Sequence, residues 1–492
     1  MSKQVDFHKA EYELHLPRWE LVDDCDNGQQ AVKAKGDIYL RKPNKADNSS
    51  ENQARFQEYL KGAIFSSYTQ KTTTGLVGEV FAKAPVKELP AEFDPIIDDI
   101  DGAGVSLEQQ AKETVRRVLK FARAGLLTDY PTVEGQVSRA DQQSGRIRPT
   151  ITSIDARNII NWRVERVGSE SKLTLVVIEY QKAVVDPEDE FSEKIETQWL
   201  QLELINGVYS QTIWERDDDS TKTEKSFRII DGPSFPRKGN GNLWDEIPFT
   251  FVGSSNNDET IDLAAIYDLA VLNIGHYRNS ADWEESSFQV GQPTLSISGL
   301  TQQWVSDLYP DGFTMGSRAS LMLPEGASAQ LLQAAPNSMP FEGMQHKERQ
   351  MVAIGARIVQ ETGVARTATE AGFERTSETS QLSQVAQNVS SAYEKALNWA
   401  WQFLDRSGST NSDIKYQLND DFEIAKLDPQ VLQGVIAAWM SGAISQEEMR
   451  TKLAKMNLAS EDFEEFVEKV GDEPPGLPAP EPQNQGGLNN GA

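Results

Sequence analysis

The sequence predicts an α+β fold. Apolar residues recur at helical spacing in three long stretches, 261–291, 341–360 and 382–403, while 151–252 alternates and turns like a block of β-strands. No internal repeat is visible, so the chain is not a solenoid. With 492 residues it has room for two to four domains and a sizeable core.

The stretch IDLAAIYDLAVLNIGHYRNSADWEESSFQVG (261–291) stands out. Leu263, Ile266, Ala270, Ile274, Tyr277, Ala281 and Phe288 form one stripe; Asp262, Asp268, Asn273, Arg278, Asp282 and Glu285 form a polar face. No proline interrupts it before Pro293. Some twenty-five residues make a rod of roughly 37 Å, long for a globular helix. A second helix is expected over 341–360, with Phe341, Met344, Met351, Ile354 and Ile358 on one face. A third runs from Leu382 through Val385, Val389, Ala392, Ala396, Trp399 and Ala400 to Phe403.

Ahead of these, the first fifty residues are polar with turn signals. A helix is expected from Asn52 through Thr69, followed by TTTGLVGEVF as a strand or turn. Ser106 and Gln109 form a capping-box pair for a helix that Gly125 is placed to end, and Leu126–Tyr130 has the look of a short buried strand. Leu173–Tyr180 is an apolar strand. Asn206-Gly207 fits a type I′ turn between Leu200–Leu204 and Val208–Trp214. The acidic runs DPEDEFSEKIE and 217–219 read as solvated connections. Between Pro293 and Pro340 the chain is mixed and loop-rich. Tyr416, Leu418 and Phe422 suggest one more strand, 426–470 a few short helices, and 472–492 a disordered tail.

The formal net charge is −27, from 48 basic and 75 acidic residues. Such a chain will not wrap nucleic acid through a broad basic surface, although confined contact remains open. One cysteine, Cys25, leaves no intramolecular disulfide and no multi-cysteine metal site. The N-terminus lacks the apolar core of a signal peptide, and the most apolar runs are too short or too charged to span a bilayer, so a soluble, unexported, membrane-free protein is expected.

Motifs for chemistry are sparse. Aligned on a calcium loop, IDDIDGAGVSLE puts Ile97 at the first ligand position, where no side-chain oxygen exists; a turn into a capped helix explains the same residues. The four histidines lack HExxH spacing. No GxSxG elbow and no Gly-Lys dipeptide occur, which removes the nucleophile elbow and the P-loop. No cofactor and no catalytic residue is expected. The segment Thr362–Ser380 is a long polar run between strong helices, holding Arg366 and Arg375 beside Glu370, Glu374 and Glu378. It is a flexible surface loop or one that projects into a passage.

In order along the chain, the phrases YLKGAIFSSYTQKTTTGLVGEVF (59–81), DIDGAGVSLEQQA (99–111), GLLTDYP (125–131), NIINWR (158–163), LNIGHYRNSADWEESSFQVGQPTL (272–295) and MVAIGARIV (351–359) resemble the tailed-phage portal protein family. The resemblance runs from about Phe56 to Phe422. It implies a portal fold with a mixed α/β wing, long stem helices, an α/β clip, a tunnel loop and a short helical crown. Mapped here, 1–50 would be an N-terminal arm, 51–260 and 379–425 the wing, 261–290 and 341–362 the stem, 291–340 the clip, 363–378 the tunnel loop, 426–470 the crown and 471–492 a tail.

It also implies a ring, usually of twelve subunits, at one capsid vertex, through which double-stranded DNA is packaged and ejected. The implied partners are other copies of the chain, the terminase large subunit, the major capsid and scaffolding proteins, and a head-completion or tail adaptor. The implied location is the virion, with assembly in the host cytoplasm. Arg366, Arg375, Glu370 and Glu374 become channel candidates. Trp304, Tyr309 and Phe313 become anchors for a docking partner, or else clip core. Two other readings stay open: another virion component of the tail or baseplate, and an acidic cytosolic enzyme with an atypical site.

Overall fold

A computed structural model describes residues 4–422, except 43, 132–146, 187–188, 218–225, 292–293, 310–321, 333–336, 360–379 and 406, together with 448–449. Contacts divide the chain into Met1–Phe422 and Glu423–Ala492. Of the second unit only 448–449 are described, in helical conformation.

The first unit opens with helices rather than the polar turns expected. α1 (Ala10–Asn27) leads through Gly28 into α2 (Gln29–Ala34). Trp19 of α1 is buried and donates from Nε1 to the Phe121 carbonyl at 2.8 Å. Next, α3 (Ser50–Gly62) is capped by the Ser49 hydroxyl, which accepts from Asn52 N–H. The helix expected to continue to Thr69 stops at Gly62. A new helix, α4 (Tyr68–Val80), covers the residues expected as a strand or turn. The three consecutive threonines and the glycines had argued for extended chain. Burial decides otherwise: Thr69, Thr73, Leu76 and Val80 recur at helical spacing and face the core.

A short strand β1 (Val86–Glu88) and α5 (Asp94–Asp98) precede α6 (Leu107–Phe121). The Ser106–Gln109 capping box forms as the sequence predicts. In the loop before it, Asp99 is engaged in holding the turn, accepting from Gly102 and Gly104 N–H at 2.9 Å and pairing with Arg148 at 2.5 Å. Gly125 does not end α6. Ala122 does, in a left-handed conformation with φ 55°. Gly125 sits inside β2 (Arg123–Asp129), the centre of a three-stranded antiparallel sheet with β3 (Thr150–Asp155) and, on its other edge, a strand that arrives much later in the chain.

Residues 159–234 form a five-stranded antiparallel meander: β4 (Ile159–Val167), β5 (Glu170–Asp186), β6 (Asp189–Ile205), β7 (Val208–Asp217) and β8 (Ser226–Ser234). Asn206 and Gly207 take φ values of 53° and 80°, the type I′ turn read from the sequence. The run expected as an acidic connection is instead ladder. β5 and β6 pair as far as Asp186 and Asp189, which makes a two-stranded ribbon of it. β9 (Phe249–Gly253) then completes the three-stranded sheet beside β2.

The long helix α7 (Tyr267–Gly291) begins six residues later than 261. It is followed by β10 (Thr294–Ser298), α8 (Gln302–Leu308), β11 (Ser328–Leu332) and α9 (Met339–Val359). α10 (Gln381–Leu404) is the spine of the core, packed on α6, β2 and β9. Its Tyr393 is fully buried and hydrogen bonded to Thr114 at 2.9 Å and to Gln110 at 3.0 Å, so the phenol is satisfied inside the protein. β12 (Lys415–Gln417) pairs with β1. The architecture is α+β.

Charge fastens α1 to α6. Lys120, buried at the end of α6, meets Asp23 at 2.5 Å and Asp26 at 3.2 Å; Arg157 meets Asp23 at 2.6 Å. Burial by itself would raise the Asp23 carboxyl, but the hydrogen bonds and charges of Lys120 and Arg157 hold it below the usual carboxylate value. A depressed carboxyl stabilises the fold fully above its ordinary pKa and loses that contribution as pH falls through the folded value. Asp23→Asn should therefore cost about 2 kcal/mol at neutral pH, with the gap to the parent closing below about pH 4, as read from urea midpoints across pH. Gly125 makes a second test. A Cβ there would stand 2.6 Å from Phe249 Cζ and 3.0 Å from Ile159 Cδ1. Gly125→Val overpacks this sheet and should lower stability by about 1–3 kcal/mol in thermal or urea unfolding.

Candidate functional site

The break between α3 and α4 creates the site. A helix end leaves backbone N–H and C=O groups without intrahelical partners, and inside a protein each must find another. Residues 63–67 lie against the middle of α7, whose polar side chains supply those partners. Asn273, fully buried, accepts from Thr69 N–H at 3.1 Å and from the Thr69 hydroxyl at 3.0 Å, and donates to the Ser66 carbonyl at 2.8 Å. Ser280 accepts from Ile64 N–H at 3.2 Å. From the other flank, Gln29 accepts from Phe65 N–H at 3.1 Å, and Arg278 donates to the Tyr39 carbonyl at 2.7 Å. Phe65 packs edge-on against Tyr277, centroids 5.9 Å apart. The expected polar face is thus divided: Asn273 is core, whereas Asp268 and Asp282 are exposed. Within the expected apolar stripe, Leu263 and Phe288 prove exposed.

α9 lies antiparallel along α7. His276 Nε2 is 3.1 Å from Glu348 Oε1, Asn279 donates to the Pro340 carbonyl at 3.3 Å, and the Trp283 and Phe341 rings are 5.3 Å apart. Two glycines permit this approach. A Cβ on Gly275 would come within 2.9 Å of Lys347, and one on Gly343 within 2.2 Å of Asn279. At the level of Asp282 the burial ends. Tyr59 donates to the Asp282 carboxylate at 2.5 Å; partial burial, then this carboxylate, push its phenol well above the usual value. None of residues 282–291 is buried. α7 therefore has its buried residues along one part, up to Ala281, and only half-buried or exposed ones beyond it.

The far end bears the insert. β10 and β11 pair antiparallel, Thr294 opposite Leu332, and neither has another neighbour among the described residues. α8 is capped by the Thr301 hydroxyl. Trp304 and Tyr309, both half-buried, lie 5.5 Å apart, and the Tyr309 hydroxyl accepts from Met322 N–H at 2.9 Å. The structure thus brings two of the three predicted anchors together. Phe313 lies outside the described residues, as do Arg366, Glu370, Glu374 and Arg375. None of the described residues from Leu295 to Leu331 is buried. Among the described residues, no group of three His, Cys, Asp or Glu could hold a metal, and no helix is long and apolar enough to cross a membrane.

The clamp residues Asn273 and Ser280 were not foreseen. Their signal is weak: a break at Ser66-Ser67 between two helix-forming stretches, opposite an Asn inside an apolar helix. Which helix would meet the break cannot be read from one chain's periodicity.

A family described as a domain of unknown function (DUF4055) matches residues 265–404, from the start of α7 to the end of α10. No curated protein matches the sequence. Among solved structures, the chain is similar to one in the virion of a native gene transfer agent particle, at 13% identity and a TM-score of 0.37, over 81% of this chain and 92% of that one. A chain in the neck of an empty gene transfer agent particle, computed with C6 symmetry, gives 15% identity and a TM-score of 0.37, over 79% and 90%. Neither superposition is close enough to transfer a role.

The clamp makes a direct prediction. Asn273→Ala leaves the Thr69 N–H and the Ser66 carbonyl buried without partners and should cost about 2–4 kcal/mol in urea unfolding. Hydrogen exchange at Thr69 should quicken in step, and Asn273→Asp, which buries a carboxylate and sets one of its oxygens against the Ser66 carbonyl, should cost at least as much at neutral pH.

Proposed function

We propose that this chain is a portal subunit, one of a ring of twelve at a single vertex of a phage-type capsid, through which duplex DNA is packaged and later ejected. The observation behind this reading is the hairpin of α7 and α9, clamped at one end and bearing at the other an insert without a buried residue among those described. A two-stranded sheet with open edges is marginal alone. A ring supplies the missing cover, because each subunit presents one face to its neighbour and a different face to the next.

The resemblance in the sequence bears on the same place. Its phrases at 59–81 and 272–295 meet at the clamp, and 351–359 ends α9. In this reading α7 and α9 are the stem. The insert is the clip, where the Trp304–Tyr309 pair, with Phe313, receives the terminase large subunit during packaging and a head-completion or tail adaptor afterwards. Residues 363–378 are the tunnel loop, in which Arg366 and Arg375 make brief phosphate contacts among Glu370 and Glu374. Capsid and scaffolding proteins contact the outer parts of the ring. The role is structural rather than enzymatic, with ATP hydrolysis left to the separate motor. A net charge of −27 on every copy suits passage, since each firm phosphate contact would add salt-dependent drag.

Negative-stain images and native mass measurement of the purified chain test this. The expected result is a closed ring with a hole of roughly 30–40 Å, a duplex of about 20 Å plus clearance. Monomers, or open filaments, at every concentration tried would sink the reading.

A further inference from the structure

Among the described residues, the outer part of the β5–β6 ribbon pairs with no third strand. Beyond Tyr180 it is two-stranded, since β4 pairs with β5 only as far as Ile178 and β7 with β6 only as far as Gln198. The ladder continues another six residues along β5, about 20 Å. Its two faces differ. Opposed and alternating positions place Ala183, Val185 and Ile195 with Glu193 on one face, and Lys182, Lys194 and Glu196 with Val184 on the other. Phe191 near the tip is 91% exposed, Ile195 69% and Val185 57%. Around this apolar strip the charge is acidic: Asp186, Asp189, Glu193 and Glu196 against Lys182 and Lys194.

A surface of the opposite character follows α1. Between 33 and 45 stand Lys33, Lys35, Arg41, Lys42 and Lys45 against a single acid, Asp37, in a chain that is acidic overall. This segment lies on α3: Lys33 Nζ donates to the Lys61 carbonyl at 3.0 Å, and Lys42 Nζ sits 6.0 Å from the Phe56 ring. α3 adds Arg55 and Lys61, and with them Glu51 and Glu58; Lys35, Lys42 and Lys61 already meet Asp24, Asp37 and Glu58, so the surplus of positive charge rests on Lys33, Arg41, Lys45 and Arg55. Arg41, Lys45 and Arg55 have no carboxylate partner among the described residues. In the middle of the basic segment Ile38 is 67% exposed.

The two surfaces complement each other in charge, and both have apolar centres. Within one chain they occur at opposite ends of α1. Lys9, which caps its start, donates to the Ile160 carbonyl of β4 at 3.0 Å, while its far end, about 27 Å away, passes through Gly28 into the basic segment. We infer that the ribbon of one copy docks on the 33–45 segment of a second copy, with Phe191, Val185 and Ile195 against Ile38 and the ribbon's carboxylates among the lysines and arginines. Two different patches joined in this way make a head-to-tail contact, which closes a ring if the rotation closes and otherwise runs on as a filament. The inference deepens the portal reading and rests on it for closure, not for the contact.

Cysteine cross-linking tests it cleanly, because the native Cys25 is buried and its thiol is pushed up by burial between Asp24 and Asp26. One preparation has Ser192→Cys, another Ile38→Cys, and the two are mixed and treated with a short bis-maleimide. Cross-links joining Ser192→Cys to Ile38→Cys, absent when either preparation is treated alone, are expected. Phe191→Glu should weaken self-association about tenfold or more by sedimentation, with melting unchanged, and Val167→Glu, also at an exposed apolar position of the same sheet, should not. Closed rings without the mixed cross-link would overturn the contact and leave the portal reading standing. Mixed cross-links in open chains would support the contact and sink the ring. Monomers without cross-links would overturn the contact as well.

Discussion

The requirement that buried backbone polar groups be satisfied sets the arrangement of everything around α7. A chain that stops one helix at Gly62 and starts another at Tyr68 leaves donors and acceptors in the interior. Asn273 and Ser280 answer them from the facing helix. Because an amide offers both a donor and an acceptor, one side chain fixes both the position and the rotation of α7 against the break. Once that rotation is set, His276 faces Glu348 and Gly275 faces Lys347, so the line along which α9 can lie is set too.

The parts of this fold legible in the sequence are those decided locally. The capping box at Ser106 and Gln109, the Asn206-Gly207 turn and the periodicity of 382–403 all depend on neighbours within a few residues, and each formed as read. The failures are all tertiary. Residues 71–80 have the composition of a strand and are a helix, because a buried side recurs at Thr73, Leu76 and Val80. Gly125 resembles a helix stop and is instead the place where Phe249 crosses a strand. Asn273 resembles a solvated residue and is core. Of the candidate site, periodicity exposed the two helices and composition the loop-rich insert between them; that the helices pair was implied only by the family resemblance. Periodicity could not show that α7 would bury residues only up to Ala281, since that depends on residues more than two hundred positions away.

Electrostatics separates two uses of charge in the same acidic chain. Next to α6, Asp23, Asp26, Lys120 and Arg157 are drawn into a desolvated network that joins α1 to the core, where removing one partner strands another. Arg123 is more isolated still: it is buried between the rings of Trp162 and Phe251, 4.2 Å and 3.9 Å from its guanidinium carbon, with one hydrogen bond to the Glu259 carbonyl at 3.0 Å. On the ribbon and the 33–45 segment, by contrast, charge remains hydrated. There it can steer copies toward one another and set their register while adding little to the stability of either alone.

The one-sided burial of α7 has a mechanical consequence. Past its ring contact at Trp283, α7 runs on to Gly291 without a buried residue, an overhang of about 12 Å with no proline to act as a hinge. A tilt of about 10° at the clamp would move its tip by roughly 2–3 Å. Small repacking around Asn273 would therefore be geared up into a displacement of the insert, and a load on the insert would return to the clamp as torque. The buried amide that satisfies a helix break is also the fulcrum.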